Sequence, residues 1–529
     1  MATPQKKLAA SLEALEALQR RGVIAVRSSD LSRTHRQRLL KAGFLQKVMK
    51  GWYIPSRPDE ARGESSTWYA SFWDFCAAYL TVRFREQWSL SPEQSLFIHT
   101  GNRSVPRQLL VRSPRARNQT TALAHGTSLL ETRAPLPPKG QEQTIDGLRL
   151  FSLPAALVNS GPGLFTQNAT EARTALAMVR DASDVLTILL SGGHTVLAGR
   201  LAGALRNIGR NKIADEIVQT MRSAGYDVRE SDPFESPAPF AHPPRALSPY
   251  VIRMRLSWEQ MRDIIANHFP KAPGIPKDTA SYLKSVDEIY VDDAYHSLSI
   301  EGYRVSRELI ERVRTGGWNP DRNDGDRQQR DAMAARGYYE AFQIVKGSVE
   351  SVLKAANPGR VFERDHSAWY RALFAPSVSS GILVAADLAG YRAGQVYIRR
   401  SKHVPPKPEA VRDMMPSLTE LLTEEENAGV RAVLGHFMFV YIHPYMDGNG
   451  RMGRFLMNVM LASGGYPWTV IPVQSRDEYM KALESASVGQ DIAPFAEFIR
   501  GLVRSRSASA PGKNPAAAAR AAQHRRQRS

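Results

Sequence analysis

Residues 443–454 read His-Pro-Tyr-Met-Asp-Gly-Asn-Gly-Arg-Met-Gly-Arg, and no other stretch of the chain limits its fold so tightly. Both flanks carry a helical period. Upstream, Val430, Val433, Leu434, Phe437, Met438, Tyr441 and Ile442 recur every 3.6 residues. Thr423 and Glu426 have the spacing of a capping box for that helix. Pro444 disfavours helical geometry at His443 and ends it. Downstream, Met452, Phe455, Leu456, Val459 and Met460 repeat the spacing until Gly464 and Pro467. The two helices are therefore joined by a tight loop, 444–450, whose glycines let backbone approach a ligand closely.

The second helix begins where the loop ends, so its free N–H groups and positive dipole end face whatever sits there. That makes an anion site. Arg451 and Arg454, three apart, share a helix side and can clamp phosphate oxygens. Asp447 suits Mg²⁺, which takes carboxylate together with phosphate oxygens. His443 can accept a proton near neutral pH. Gly-Asn-Gly alone would be a turn and a lone helix-end histidine a cap. The ordered set instead suits the holding of a nucleoside triphosphate with its metal while a hydroxyl is activated. No G-x-x-x-x-G-K-[ST] occurs, so this is not a Walker A loop.

The stretch resembles the signature of the Fic family, H-x-F-x-[DE]-G-N-G-R-x-x-R, with Tyr445 where the family has Phe. That resemblance implies transfer of a nucleotide moiety, most often AMP from ATP, to a protein hydroxyl. It implies His443 as general base and Asp447 as Mg²⁺ ligand. Gly448, Asn449 and Gly450 would cradle phosphates, Arg454 would pair with the γ-phosphate, and Arg451 and Tyr479 would complete the ATP site. Tyr391–Ile398 followed by His403-Val404-Pro405-Pro406 resembles the family's flap hairpin, with a short strand expected at Val396 and Ile398. Gln395, Val396 and Tyr397 would there grip the target's backbone as an added strand.

Ser297-Leu-Ser-Ile-Glu301-Gly302 resembles the family's inhibitory motif, [ST]-x-x-x-E-[GN]. Ser297 and Glu301 stand one helical turn apart, on an inhibitory helix near 286–302, and Gly302 is a C-cap residue. The resemblance implies a salt bridge from Glu301 to Arg454 that displaces the γ-phosphate and autoinhibits the enzyme. It also implies that Glu301 could position a water to remove AMP from the modified target. The likeness covers roughly residues 250–505.

At 529 residues, two to four domains are expected. A single cysteine, Cys76, excludes an intramolecular disulfide and, with no secretory signal, fits a cytoplasmic protein. Cys76 lies among Trp73, Phe75 and Tyr79 and reads as core. No run approaches 18 apolar residues, so no membrane span is expected.

The net charge of +18 is uneven. Residues 1–60 hold 12 Lys/Arg against 5 Asp/Glu. They read as helix, short element at Ser28–Leu31, basic helix with Leu39 and Leu40 inward, then a hairpin around Lys50-Gly51, which is a winged-helix plan. Arg33, Arg36 and Arg38 on the basic helix, with Lys47 and Lys50 on the wing, would contact DNA. Gly43-Phe-Leu-Gln-Lys47 through Gly51-Trp52-Tyr53 resembles the N-terminal domain of AbiEi-type antitoxins.

Residues 61–230 read as an α+β domain, with strand-like runs at 95–99 and 148–151 and helix-like runs at 170–179 and 202–224. A Pro-rich linker follows at 231–250, then the mainly helical Fic part at 251–505 and a disordered basic tail at 506–529. The expectation is multidomain: a winged helix-turn-helix plus α+β N-terminal half, and an α-helical Fic half with a β-hairpin flap. Its function would be autoinhibited AMP transfer to a target protein, with DNA as a further partner and a homodimer as a further state. The alternatives are a DNA-binding regulator whose Fic part senses nucleotide, and an enzyme using another nucleotide donor.

Overall fold

The computed structural model describes residues 3–58, 65–236, 248–316, 330–388 and 390–509. They form two compact units: Met1–Leu256 with Val396–Pro405, and Ser257–Gln395 with Pro406–Ser529.

The first unit opens with α1 (Pro4–Gln19), β1 (Val26–Arg27), α2 (Arg33–Ala42), β2 (Leu45–Met49) and β3 (Trp52–Pro55). The strands make an antiparallel sheet in the order β1-β3-β2. Leu15, Leu18, Val26, Leu39, Leu45 and Tyr53 fill its core. Ser32 caps α2, and Gly43 ends it at φ +80°. Two expectations fail here. Residues 28–31 form a turn rather than the short helix a winged-helix plan places there, because the Asp30 carboxylate accepts the Arg27 N–H at 2.8 Å and closes it. Leu40 is exposed rather than inward.

The next core surrounds α3 (Ser66–Phe84), where Trp68, Phe72, Phe75, Cys76 and Leu80 are fully buried. Against it lie a mixed four-stranded sheet and the hairpin of β8 (Glu142–Ile145) and β9 (Leu148–Phe151). Residues 95–99 are helical, inside α4 (Pro92–His99), not a strand. Ser91 accepts from Gln94 N–H as N-cap and Pro92 occupies the first turn. Six helices, α5 to α10, lie between residues 153 and 223, and α11 (Pro249–His268) follows. The run 202–224 is broken between α9 (Thr195–Asn207) and α10 (Asn211–Ser223), with Gly209 at φ +77°.

Residues 396–405 belong to this unit and form no strand. A strand needs a ladder, and here single anchors replace it. Val105 N–H donates to the Lys402 carbonyl (2.8 Å), Arg400 N–H donates to Ser66 Oγ (3.1 Å), and Val404 joins the core around Trp68. The expected flap hairpin is therefore an extended strap.

The second unit is helical. Its main helices are α12 (Thr279–Ile300), α13 (Arg307–Arg314), α14 (Arg330–Leu353), α15 (Pro358–Ser379), α16 (Pro408–Glu424), α17 (Ala428–Ile442), α18 (Asn449–Ser463), α19 (Arg476–Gly489) and α20 (Ala493–Ser509). α17 and α18 are buried along almost their whole length. The N-cap of α17 is Asn427, whose side chain accepts from Gly429 and Val430 N–H, and not Thr423. Thr423 sits in the last turn of α16, bonded to the Thr419 carbonyl. α20 runs to Ser509, so 506–509 are helical. The rest of the basic tail lies outside the described residues, as do 237–247 of the linker. No described helix is long and apolar enough to cross a membrane.

Candidate active site

The α17–α18 loop is built on a left-handed residue. His443 caps α17 at φ 52°, ψ 60°, and its N–H still donates to the Phe439 carbonyl. Such a conformation costs about 1 kcal/mol outside glycine, and here it turns the side chain at the loop's mouth. His443 Nδ1 lies 3.1 Å from the Val440 carbonyl. A carbonyl only accepts, so Nδ1 carries the proton and Nε2 keeps its lone pair. Burial drives this imidazole down to about 4, with Arg392 adding to the effect; the Val440 bond, Glu301 and Asp447 oppose it. It is thus neutral at physiological pH, as a base must be.

Asn449 holds the loop closed. Its side chain accepts from Tyr445 N–H and donates to the Tyr445 carbonyl, both at 2.9 Å, and it is 1% exposed. It therefore shapes the loop, and the free N–H groups of the first turn of α18 are the ones left to meet an anion. Gly448, the N-cap of α18, sits at φ +80°, where a Cβ would meet the Phe374 ring at 2.8 Å. Tyr445 stacks on Tyr370 at 3.8 Å. Its hydroxyl is buried without a well-formed hydrogen bond.

Arg451 is fully buried between the rings of Tyr303 and Phe374, 3.5 Å from Asp447. Arg454 is 4% exposed. Its Nε donates to Ser297 Oγ (2.9 Å), and its Nη2 donates to the Ser297 carbonyl (3.0 Å) and to Glu301 Oε1 (2.7 Å). So α12 brings Ser297 and Glu301 onto the second arginine. Gly302 ends that helix at φ +89°, its N–H on the Ser299 carbonyl. A Cβ at Gly450 would strike Glu301 Oε1 at 2.2 Å, so only glycine admits this pairing. Burial pushes the Glu301 carboxyl up, but Arg454 and Arg451 outweigh it and hold it below the ordinary range.

The residues fit a triphosphate and Mg²⁺. Arg451 Nε and Nη2 and Arg454 Nη1 are buried donors without well-formed hydrogen bonds, grouped on the first turns of α18. Asp447 is a lone carboxylate, 62% exposed in its side chain. That suits an ion shared with phosphate oxygens rather than a protein cage.

Several working residues carry no sequence signal. Arg392, 1% exposed, donates to the carbonyls of His443 (2.8 Å), Gly394 (3.0 Å) and Pro406, and its own N–H donates to the Pro444 carbonyl (2.9 Å). Tyr338 donates to Asp293 at 2.6 Å beneath Ser297. Burial lifts the Asp293 carboxyl to about 6. His436, on α17, contacts the Tyr479 hydroxyl at 2.8 Å.

Other expected residues lie apart from a ligand-facing role. Tyr479 is 2% exposed, turned into the helix packing. Gln395, just before the strap, is exposed; within it Tyr397 is exposed and Val396 buried. On α2, Arg36 is tied to the Ser28 carbonyl (2.7 Å) and lies over Tyr53, and Arg38 reaches the Lys7 carbonyl (3.5 Å). Arg33, Lys47 and Lys50 remain exposed.

Residues 364–461, which carry the loop and both of its helices, match the model of the Fic/DOC family, and this segment is a Fic domain. The protein adenylyltransferase Fic of Nematostella vectensis is 27% identical over 245 residues, 46% of this chain and 53% of that one. The protein of the same name from Drosophila virilis is 41% identical over 113 residues, 21% of this chain and 23% of that one. The chain thus spans about half the length, or less, of these curated relatives. Among solved structures, Fic-1 (residues 134–508) from C. elegans is 20% identical, with TM-score 0.35, over 63% of this chain and 90% of that one. A Fic-domain signaling protein from Bacteroides thetaiotaomicron is 17% identical, with TM-score 0.33, over 47% of this chain and 92% of that one.

Proposed function

We propose that this protein is a protein adenylyltransferase that moves AMP from ATP to a Ser, Thr or Tyr hydroxyl of a target protein, and that Glu301 holds it inactive. The observation that carries the reading is His443: a half-buried, neutral imidazole with Nε2 open, one loop away from three buried arginine donors without well-formed hydrogen bonds.

The arginines and the first turn of α18 orient the triphosphate and stabilise the charge that develops on it. His443 Nε2 takes the proton from the target hydroxyl as its oxygen bonds to the α-phosphorus. The bond to the β-phosphate oxygen breaks and pyrophosphate leaves. Asp447 would hold Mg²⁺, which would supply neutralisation of the phosphate charge. Arg392 fixes the His443 carbonyl and so the base's position. With Glu301 on Arg454, the γ-phosphate lacks its partner and ATP takes an unproductive pose. Glu301 could instead orient a water for removal of AMP. The strap residues Gln395, Val396 and Tyr397 would meet the target.

The alternative, a DNA-binding regulator that only senses nucleotide, has weaker support. Of its five candidate contacts, Arg36 and Arg38 are engaged with backbone carbonyls, which leaves Arg33, Lys47 and Lys50.

The test uses α-labelled ATP and Mg²⁺ with wild type, Glu301→Gly and Glu301→Gly/His443→Ala, each with cell lysate. Label on protein with Glu301→Gly, absent from the double variant, is expected. No label in any lane, with folded protein and bound ATP, would move the assignment to the sensor or to an enzyme with another nucleotide donor.

A further inference from the structure

We propose that Tyr479, held by His436, is a positioning residue that keeps Arg454 aimed at the terminal phosphate of the nucleotide once Ser297 and Glu301 withdraw. The inference rests on the adenylyltransferase reading and deepens it.

Arg454 has three well-formed side-chain bonds, all to the inhibitory helix: two to Ser297 and one to Glu301. Withdrawal of that helix would remove every one of them. A long side chain released in this way regains rotamer freedom, and a phosphate contact must then order it again. Something on the catalytic side has to restrain it.

The Tyr479 hydroxyl is the group placed to do so. Burial pushes its phenol up to about 12, against the opposing charge of the Arg454 guanidinium and the contact with it. In the latched state the remaining nitrogen, Nη1, makes no bond of good geometry. On this proposal, the contact tightens when Glu301 leaves.

The donor directions are fixed by chemistry. A guanidinium only donates, so the Tyr479 oxygen accepts from Arg454 and must send its own proton elsewhere. His436 Nε2, at 2.8 Å, is the acceptor. That requires the neutral tautomer with the proton on Nδ1, which faces the Gly453 backbone without a well-formed hydrogen bond. Burial keeps this imidazole neutral by driving it down to about 3. His436 is completely buried, its ring against Phe495 at 5.4 Å, so the acceptor cannot turn away. Gly453 leaves the space: a Cβ there would lie 3.0 Å from Val440 and 3.3 Å from His436. The chain Arg454 to Tyr479 to His436 thus joins α18, α19 and α17 with one direction of donation.

The experiment is calorimetric binding of Mg·ATP and Mg·ADP, in a Glu301→Gly/His443→Ala background that cannot turn over. Tyr479→Phe is added to that background, and His436→Leu separately. The parent should bind ATP more tightly than ADP. Tyr479→Phe should weaken ATP about tenfold and leave ADP within about twofold, and His436→Leu should shift ATP in the same direction. An unchanged ATP affinity, or an equal loss for ADP, overturns the proposal, because a packing role would not single out the third phosphate. If one variant fails to fold, the other decides. A parent that binds neither nucleotide overturns the adenylyltransferase reading itself.

Discussion

Glu301 Oε1 lies 2.7 Å from Arg454 Nη2, in the space that the missing side chain of Gly450 leaves open. The pair involves a buried guanidinium and a carboxylate whose side chain is 29% exposed. A charge-assisted bond of this kind is worth about 1.5–3 kcal/mol, and solvent at the carboxylate reduces it to roughly 1–2 kcal/mol. Glu301→Gly should then raise the productive use of ATP about five- to thirtyfold. Ser297→Ala removes one Arg454 bond but leaves the carboxylate, so its gain should be smaller. Initial rates of target labelling for the two variants check the order. Equal rates would mean that the carboxylate is not the brake.

The Tyr445 hydroxyl meets Ser367, but in poor hydrogen-bond geometry. Tyr445 is 1% exposed, stacked on Tyr370, with no well-formed hydrogen bond. A buried hydroxyl left unsatisfied costs about 1–3 kcal/mol. Tyr445→Phe should stabilise the protein by about 1 kcal/mol, which is roughly 2–4 °C in Tm for a unit of this size. Nucleotide transfer should not change. A lowered Tm would show that the hydroxyl has a partner in solution.

The loop around Tyr445 is also where the amino-acid sequence is most explicit about the fold. Two helical periods separated by a proline and two glycines specify a helix–loop–helix unambiguously, because side-chain spacing and backbone breakers are local. Ser297 and Glu301 are legible for the same reason, being one turn apart with a glycine stop. The residues that fix the site from a distance are not. Arg392 is 51 positions from the carbonyl it holds, and Tyr479 is 43 from His436. Neither pairing leaves a mark on local sequence. The strap at 396–405 misleads because alternation of apolar residues describes a strand only if a partner strand exists. At 95–99 the decisive signal is Ser91-Pro92, a helix start. At Thr423 a capping-box spacing is outweighed by Asn427, whose side chain makes the cap bonds.

Arg392 binds three carbonyls with one guanidinium, among them that of His443. A lysine presents a single ammonium and cannot reproduce that fork. Arg392→Lys should leave at least one buried carbonyl without a donor and let the His443 backbone shift. In a Glu301→Gly background we expect kcat to fall about tenfold to a hundredfold, with KM for ATP within about threefold. Steady-state rates with varied ATP separate the two. A change confined to KM would place Arg392 in nucleotide binding instead.

The depressed imidazole of His443 fixes the pH behaviour. Its folded value of about 4 lies below the ordinary 6.5, so the base form persists on acidification. The acidic limb of kcat/KM, which reports the free enzyme, should therefore fall near pH 4 to 5 rather than near 6.5. Stability moves the other way. The unfolded chain takes up a proton at His443 near pH 6.5 and the folded one only near 4. Lowering the pH through that window favours unfolding by up to about 1.4 kcal/mol per pH unit from this residue. His443→Gln should remove that slope, and thermal unfolding of both proteins between pH 7 and 4.5 measures it. If wild type and variant lose stability in parallel, or if activity falls near pH 6.5, the imidazole is more solvated than its half-buried setting indicates. The tautomer argued from Val440 would then need direct measurement.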